Sequence, residues 1–226
     1  MNKLSIVSIA AISLASLPTQ AAINFSIEKD FAELGLTAPL NDNSYLFVGA
    51  DTDDWLGVGI GYKLQASPFL HFNFYYEYGL YDDWLMKEIA DIDGVKTKSH
   101  KAEMSVNRFW HKHSVKAGVT AEAVRNGFSW LTVDDANKYS AYLGIARYFE
   151  HVYLSGRYEH HYATDQSDMV DFNQGHANEW EVSIGTMKPI FNFYPYAKVS
   201  LLDPNGTYYG MNNSNVTWTI GGAFSF

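Results

Sequence analysis

The chain has 226 residues, no cysteine and a formal net charge of −9. No disulfide framework or thiolate metal site is possible, and nucleic acid is not an expected partner, because phosphate binding needs a basic face. Aromatic residues make up 16% of the chain, yet its mean hydropathy is −0.19, so apolar and polar residues must be finely interleaved.

The first segment stands apart. Lys3 supplies a small positive region, Leu4 to Leu17 is apolar and broken only by serine, and Thr19 and Ala21 are small residues placed before a cut. This pattern predicts a secretory signal peptide over residues 1–21, cleaved near Ala21, and a mature domain over residues 22–226. The apolar run is shorter than the roughly 20 residues of a spanning helix, and no later segment carries such a run.

From Ser44 onward apolar residues recur with a period of two, the signature of strands. Leu56, Val58, Ile60, Tyr62 and Leu64 oppose Gly57, Gly59, Gly61, Lys63 and Gln65. Phe72, Phe74, Tyr76 and Tyr78 oppose His71, Asn73, Tyr75 and Glu77. Ala102, Met104 and Val106 oppose Lys101, Glu103 and Ser105; Val119, Ala121 and Ala123 oppose Lys116, Thr120 and Glu122. The alternation continues with Leu154 and Tyr158 against Arg157 and Glu159, Val182 and Ile184 against Glu179 and Glu181, and Val199 and Leu201 against Lys198. Connections alternate between short ("QASP", "KPIFN") and long, acidic or polar ones ("LYDDWLMKEIADIDGVKTK", "ATDQSDMVDFNQGHAN"). Strands of about ten residues, with short turns at one end and long loops at the other, describe a closed antiparallel transmembrane β-barrel.

The chain ends in "NVTWTIGGAFSF". This stretch resembles the last strand of outer-membrane barrel proteins of Gram-negative bacteria, which ends in phenylalanine with apolar residues at alternate positions before it. Trp218, Ile220, Phe224 and Phe226 match; Gly222 departs from the pattern. The resemblance implies that the barrel-assembly machinery reads this strand, that it closes the sheet against the first strand, and that outer-membrane lipid and lipopolysaccharide surround the product. Counting back from a periplasmic C-terminus gives ten strands from Ser44. "INFSI" and "FAELGLTA", joined by a tight turn at Lys29-Asp30, add a hairpin, so twelve strands are expected, with ten as the alternative. Aromatic residues expected to face outward form two belts, Trp55, Tyr78, Trp84 and Trp180 near the outer ends and Trp110, Phe149, Phe191 and Phe193 near the inner turns, as the two membrane interfaces favour.

The period-two pattern sets Lys63, Glu77, Lys101, Glu103, Lys116, Glu122, Arg157, Glu159, Glu179, Glu181 and Lys198 toward the lumen. They form either a rigid salt-bridge lattice or the lining of a water-filled bore. Gly57, Gly59 and Gly61 either open space there or lie beneath neighbouring tyrosines such as Tyr75. In length and strand number the chain resembles small monomeric porins for acidic oligosaccharides. Those carry a basic interior, from which this chain's near balance of signs departs. The expected function is therefore a passive channel for small hydrophilic solutes without strong anion selectivity. The alternative is a closed structural or adhesive barrel acting through its acidic extracellular loops.

Other constellations are weaker. "DDWL" occurs at Asp53–Leu56 and Asp82–Leu85, and clustered loop carboxylates suit hard divalent cations, including ions bridging to lipopolysaccharide. His111 and His113 offer two metal ligands, an incomplete set; His160 and His161 point to opposite faces. Outer-membrane proteases resemble this chain in barrel type, and a rim hydrolase assembled from Asp82, Asp83, Asp165 and His176 is a minor alternative. No enzyme activity and no cofactor are expected.

Overall fold

The structure, a computed structural model, describes residues 21–29, 31–52, 55–82, 96–125, 136–164, 175–205 and 215–225. In chain order the strands are β1 (Ala22–Ile27), β2 (Ala32–Pro39), β3 (Ser44–Asp51), β4 (Trp55–Ser67), β5 (Leu70–Asp82) and β6 (Lys96–Trp110). There follow β7 (His113–Arg125), β8 (Ala136–Tyr148), β9 (Val152–Ala163), β10 (Gly175–Thr186), β11 (Phe193–Asn205) and β12 (Asn215–Ser225). Each strand pairs antiparallel with its sequence neighbours, and β1 pairs with β12, which closes the barrel. The strand number is thus twelve, and the β1–β2 hairpin supplies the pair that separates it from ten.

Closure satisfies every ladder edge, which a sheet standing in lipid requires. At the seam Ile23 faces Phe224 and Phe25 faces Gly222. The Phe25 and Phe193 rings stack over this position at 5.5 Å between centroids and 2° between planes. A Cβ on Gly222 would lie 2.1 Å from the Phe193 ring. The glycine that breaks the terminal aromatic pattern therefore makes room for the Phe193 ring, on which Phe25 stacks.

The short connections are hydrogen-bonded turns. Glu28 N donates to Phe31 O at 2.7 Å between β1 and β2. Asn41 Oδ1 accepts from Asn43 N and Ser44 N at 2.9 Å each between β2 and β3. Between β10 and β11, Phe191 and Asn192 have φ of 53° and 63°, and Ile190 and Phe193 exchange backbone bonds of 2.8 and 3.1 Å. Positive φ at both central residues is the two-residue hairpin turn that matches strand twist. Phenylalanine there costs about 1–2 kcal/mol of left-handed strain.

Burial is inverted relative to a water-soluble domain. Leu56 is 56% exposed and Ile145 57%, whereas Asn24 and Thr219 are each 2% exposed. The apolar side chains line the outside of the cylinder, and polar ones pack within it. Such an apolar outer wall needs lipid as its solvent. Trp218, Ile220 and Phe224 stand on that outer wall and are exposed; Phe226 lies outside the described residues, as do residues 1–20 of the expected leader.

One aromatic expectation is corrected. Trp55 does not face outward: it is 9% exposed, lies over Gly57 and Gly79, and its Nε1 donates to Ser99 Oγ at 3.4 Å. The reason is parity, since residue 55 shares its face with Gly57, Gly59 and Gly61. Trp180 and Trp110 do stand outside and exposed, and Phe191 at its turn is 97% exposed. Trp84 lies outside the described residues.

Candidate functional site on the inward wall

Strand register sets out the inward wall row by row. Glu77 of β5 faces Lys101 of β6, Lys101 faces Glu122 of β7, and Glu122 faces Lys138 of β8. Signs alternate along this row, so each charge has opposite charges as cross-strand neighbours, the favourable arrangement on a sheet.

A second group centres on Tyr142. Its ring lies over Gly118, where a Cβ would come within 2.5 Å of Tyr142 Cζ. Its hydroxyl donates to Glu103, which also accepts from Lys116 Nζ at 3.2 Å. The Arg157 guanidinium stacks 4.0 Å from the Tyr142 centroid, and Lys116 Nζ lies 5.1 Å from it. Arg157 in turn pairs with Glu159, which accepts from Ser140 Oγ at 2.5 Å. One ring on β8 thus organises two cations and two carboxylates from three other strands, β6, β7 and β9.

The chain of contacts continues around the wall. His161, 7% exposed in its side chain, lies 3.1 Å by Nε2 from Glu179 and 3.9 Å by Nδ1 from Glu159. Lys198 Nζ is 3.8 Å from Glu181 and 3.9 Å from Glu28, and Glu28 accepts from Thr219 Oγ1 at 2.5 Å. Lys63 stands 5.0 Å from the Tyr45 ring centroid, on the glycine-rich side.

That side is not empty. A Cβ on Gly59 would meet Tyr75 Oη at 2.6 Å, and one on Gly61 would meet Tyr45 Cζ at 2.0 Å. Of the two readings of the inward glycines, coverage by neighbouring tyrosines is the observed one. Tyr75 also donates to Glu77 at 2.5 Å, so the covering ring is itself tied to the charged row.

The wall extends beyond the eleven charged residues taken from the sequence as its lining. Glu28, Glu33, Asp51, Lys138, Tyr142 and His161 share the face of the eleven charged residues. The period of two sets Glu33 there, and carried to the ends of β1, β3 and β8 it reaches Glu28, Asp51 and Lys138. The period of two also sets His161 on the face of Arg157 and Glu159; only its carboxylate partners, from β9 and β10, needed the three-dimensional structure.

The remaining candidates do not assemble. His111 sits in a turn with φ of 53°, and His113 stacks on Trp110 at 6.0 Å. His160 and His161 do take opposite faces: His160 Nε2 lies 3.3 Å from His176 Nδ1 on the outer wall. Of the rim hydrolase set, His176 stacks on Tyr162 at 4.7 Å. Asp83 and Asp165 lie outside the described residues, as do the Asp82 side chain and most of the two "DDWL" copies.

An outer wall solvated by lipid and an inner wall of interlocked charges define a transmembrane β-barrel, and the chain has the porin-like fold of small outer-membrane barrels. It is similar to the NanC porin, at 11% identity and a TM-score of 0.59, over 91% of this chain and 100% of that one. It is likewise similar to the KdgM porin in complex with disordered oligogalacturonate, at 11% identity and a TM-score of 0.56, over 92% and 99%. LpxR from Salmonella typhimurium also shares the fold, at 11% identity and a TM-score of 0.52, over 92% and 100%. No protein-family model and no curated protein matches the sequence.

Proposed function

We propose that this chain is a passive outer-membrane channel for small hydrophilic solutes, with a bore that favours cations or neutral solutes over anions. The inward charge distribution carries the proposal. Several of its cations are engaged by carboxylates, as Lys116 is by Glu103 and Lys198 by Glu181 and Glu28, whereas Lys63 lies over the Tyr45 ring. Glu33 and Asp51 place two further carboxyl groups on the same face. A passing polyanion needs a run of available cationic groups, and the inward positions among the described residues carry more carboxyl groups than cations. An acidic oligosaccharide, such as the oligogalacturonate of the KdgM complex, is for that reason not the proposed solute. The eleven charged residues named from the sequence act here as lining, and no catalytic step is assigned to the barrel.

Refolded mature protein in a planar bilayer tests this. Discrete conductance steps with a reversal potential displaced toward the cation equilibrium potential are expected. A strong anion preference would reject the selectivity. A silent bilayer would reject the channel and favour a closed barrel acting through its acidic loops, a reading supported by the rings laid over Gly57, Gly59 and Gly61.

A further inference from the structure

One stretch of the inward wall brings metal-ligand chemistry together. Glu159 and His161 stand two residues apart on β9, so both point inward, and Glu179 of β10 is directly opposite Glu159. His161 Nε2 lies 3.1 Å from Glu179 Oε2, and its Nδ1 lies 3.9 Å from Glu159 Oε1. One ligand atom from each of the three residues falls within 4.8 Å of the other two. Among the described residues, no other three histidine or carboxyl side chains converge in this way.

These donors are held in place. Their side chains are 12% exposed at Glu159, 7% at His161 and 29% at Glu179. Ser140 Oγ donates to Glu159 Oε1 at 2.5 Å. Arg157, stacked on Tyr142, donates to the other Glu159 oxygen. Ala177 stands directly opposite His161, Ala163 shares the His161 face, and both alanines are fully buried. The imidazole is thus bounded by small apolar side chains toward the long-loop end. Carboxylates and imidazoles that ligate metals are oriented by partners of this kind beyond the metal itself.

Counter-charge is present here: Arg157 pairs with Glu159, and Lys138 of β8 faces Ala163. It is the donor set that marks the place. A neutral imidazole offers a nitrogen lone pair, and each carboxylate offers oxygen. Mixed nitrogen and oxygen ligands suit zinc and its neighbours, whereas magnesium and calcium take oxygen ligands. A tetrahedral zinc ion with ligands at about 2.1 Å sets them about 3.4 Å apart, so side-chain torsions need to close the cluster by on the order of 1 Å. Three protein ligands leave a fourth position open, and on this wall that position faces the bore.

We propose that Glu159, His161 and Glu179 form a binding site for a divalent transition-metal ion of the zinc type. The ion takes an imidazole lone pair and one oxygen from each carboxylate, in place of the hydrogen bond between His161 and Glu179. The site rests on the inward placement of these three side chains and not on whether the bore conducts.

Isothermal titration of zinc chloride into the refolded mature chain in detergent tests the site, with magnesium and calcium chloride as comparisons. One zinc ion per barrel is expected, bound at least about 100-fold tighter than magnesium or calcium. His161→Gln and Glu179→Gln should each weaken zinc binding by at least about tenfold, the cost of disturbing even a metal's outer partners. His176→Gln removes one imidazole of the His160–His176 pair on the outer wall and should leave zinc binding unchanged. Heat-modifiable gel mobility checks that each variant is folded. X-ray absorption at the zinc edge of the loaded wild-type barrel reads the ligands without any variant having to fold, and one imidazole among oxygen neighbours is expected. Two imidazoles, or loss of binding in His176→Gln, would move the metal to the outer wall and overturn the site. Equal affinity for magnesium, or zinc binding unchanged in both His161→Gln and Glu179→Gln, would overturn it as well. A barrel that conducts without binding zinc rejects this inference alone; one that binds zinc without conducting rejects the channel alone.

Discussion

Tyr142 of β8 reaches across β7 to donate its hydroxyl to Glu103 of β6. The span is possible because Gly118 lies between them and leaves its side-chain volume to the ring. A glycine that looks like a gap in the sequence pattern is the seat of a ring that links Glu103, Lys116 and Arg157.

Gly118→Ala should therefore lower stability by about 1–3 kcal/mol, the range for overpacking a filled site. Gly144→Ala is the matched control. It lies on the same face, and the nearest atom to its Cβ would be Gly156 O at 3.5 Å, an ordinary contact. That variant should be neutral or gain about 0.4–1 kcal/mol from a stiffer unfolded chain. Urea unfolding in lipid vesicles, followed by tryptophan emission, measures both.

Trp55 and Trp180 report opposite walls. Trp55 is 9% exposed and Trp180 43%. In variants keeping only one tryptophan each, lipids brominated on their acyl chains should quench Trp180 strongly and Trp55 weakly. Equal quenching would contradict the inward placement of Trp55.

Lys198 sits between Glu28 and Glu181. Lys198→Gln removes the cation and leaves both carboxylates, so the reversal potential of a conducting barrel should move further toward cations. Glu181→Gln should move it the other way. No shift in either variant would place these groups away from the permeation path.

The Phe191-Asn192 turn carries left-handed strain on a residue that tolerates it poorly. Phe191→Gly should stabilise the folded barrel by about 1 kcal/mol, the left-handed cost removed. Equilibrium unfolding checks this. A loss of stability instead would mean that the 97% exposed ring anchors in the interface strongly enough to outweigh the strain.

Much of this architecture was legible from alternation alone. A period of two allows only two faces, so naming one residue of a strand assigns all the others. Lys101, Glu103 and Arg157 reached their face in that way. Trp55 was misplaced where composition overrode parity, because tryptophan at a strand end suggests a membrane belt. Partnerships were not legible. Which carboxylate holds Lys198, or that Tyr142 links Arg157 to Glu103, depends on the stagger between strands, and period carries no record of it. The glycines were ambiguous for a related reason, since a missing side chain is filled or left open by residues on other strands.

The wall is also uneven in height. β1 has six residues and β2 and β3 eight each, against fifteen in β6. At strand rise that is about 20 Å of untilted wall on one flank and about 50 Å on the other, around a hydrocarbon layer of about 30 Å. Hydrophobic mismatch of this kind is met by thinning the bilayer or leaning the cylinder. A barrel of this outline would press a lopsided dent into its host membrane, deepest beside the β1–β2 hairpin.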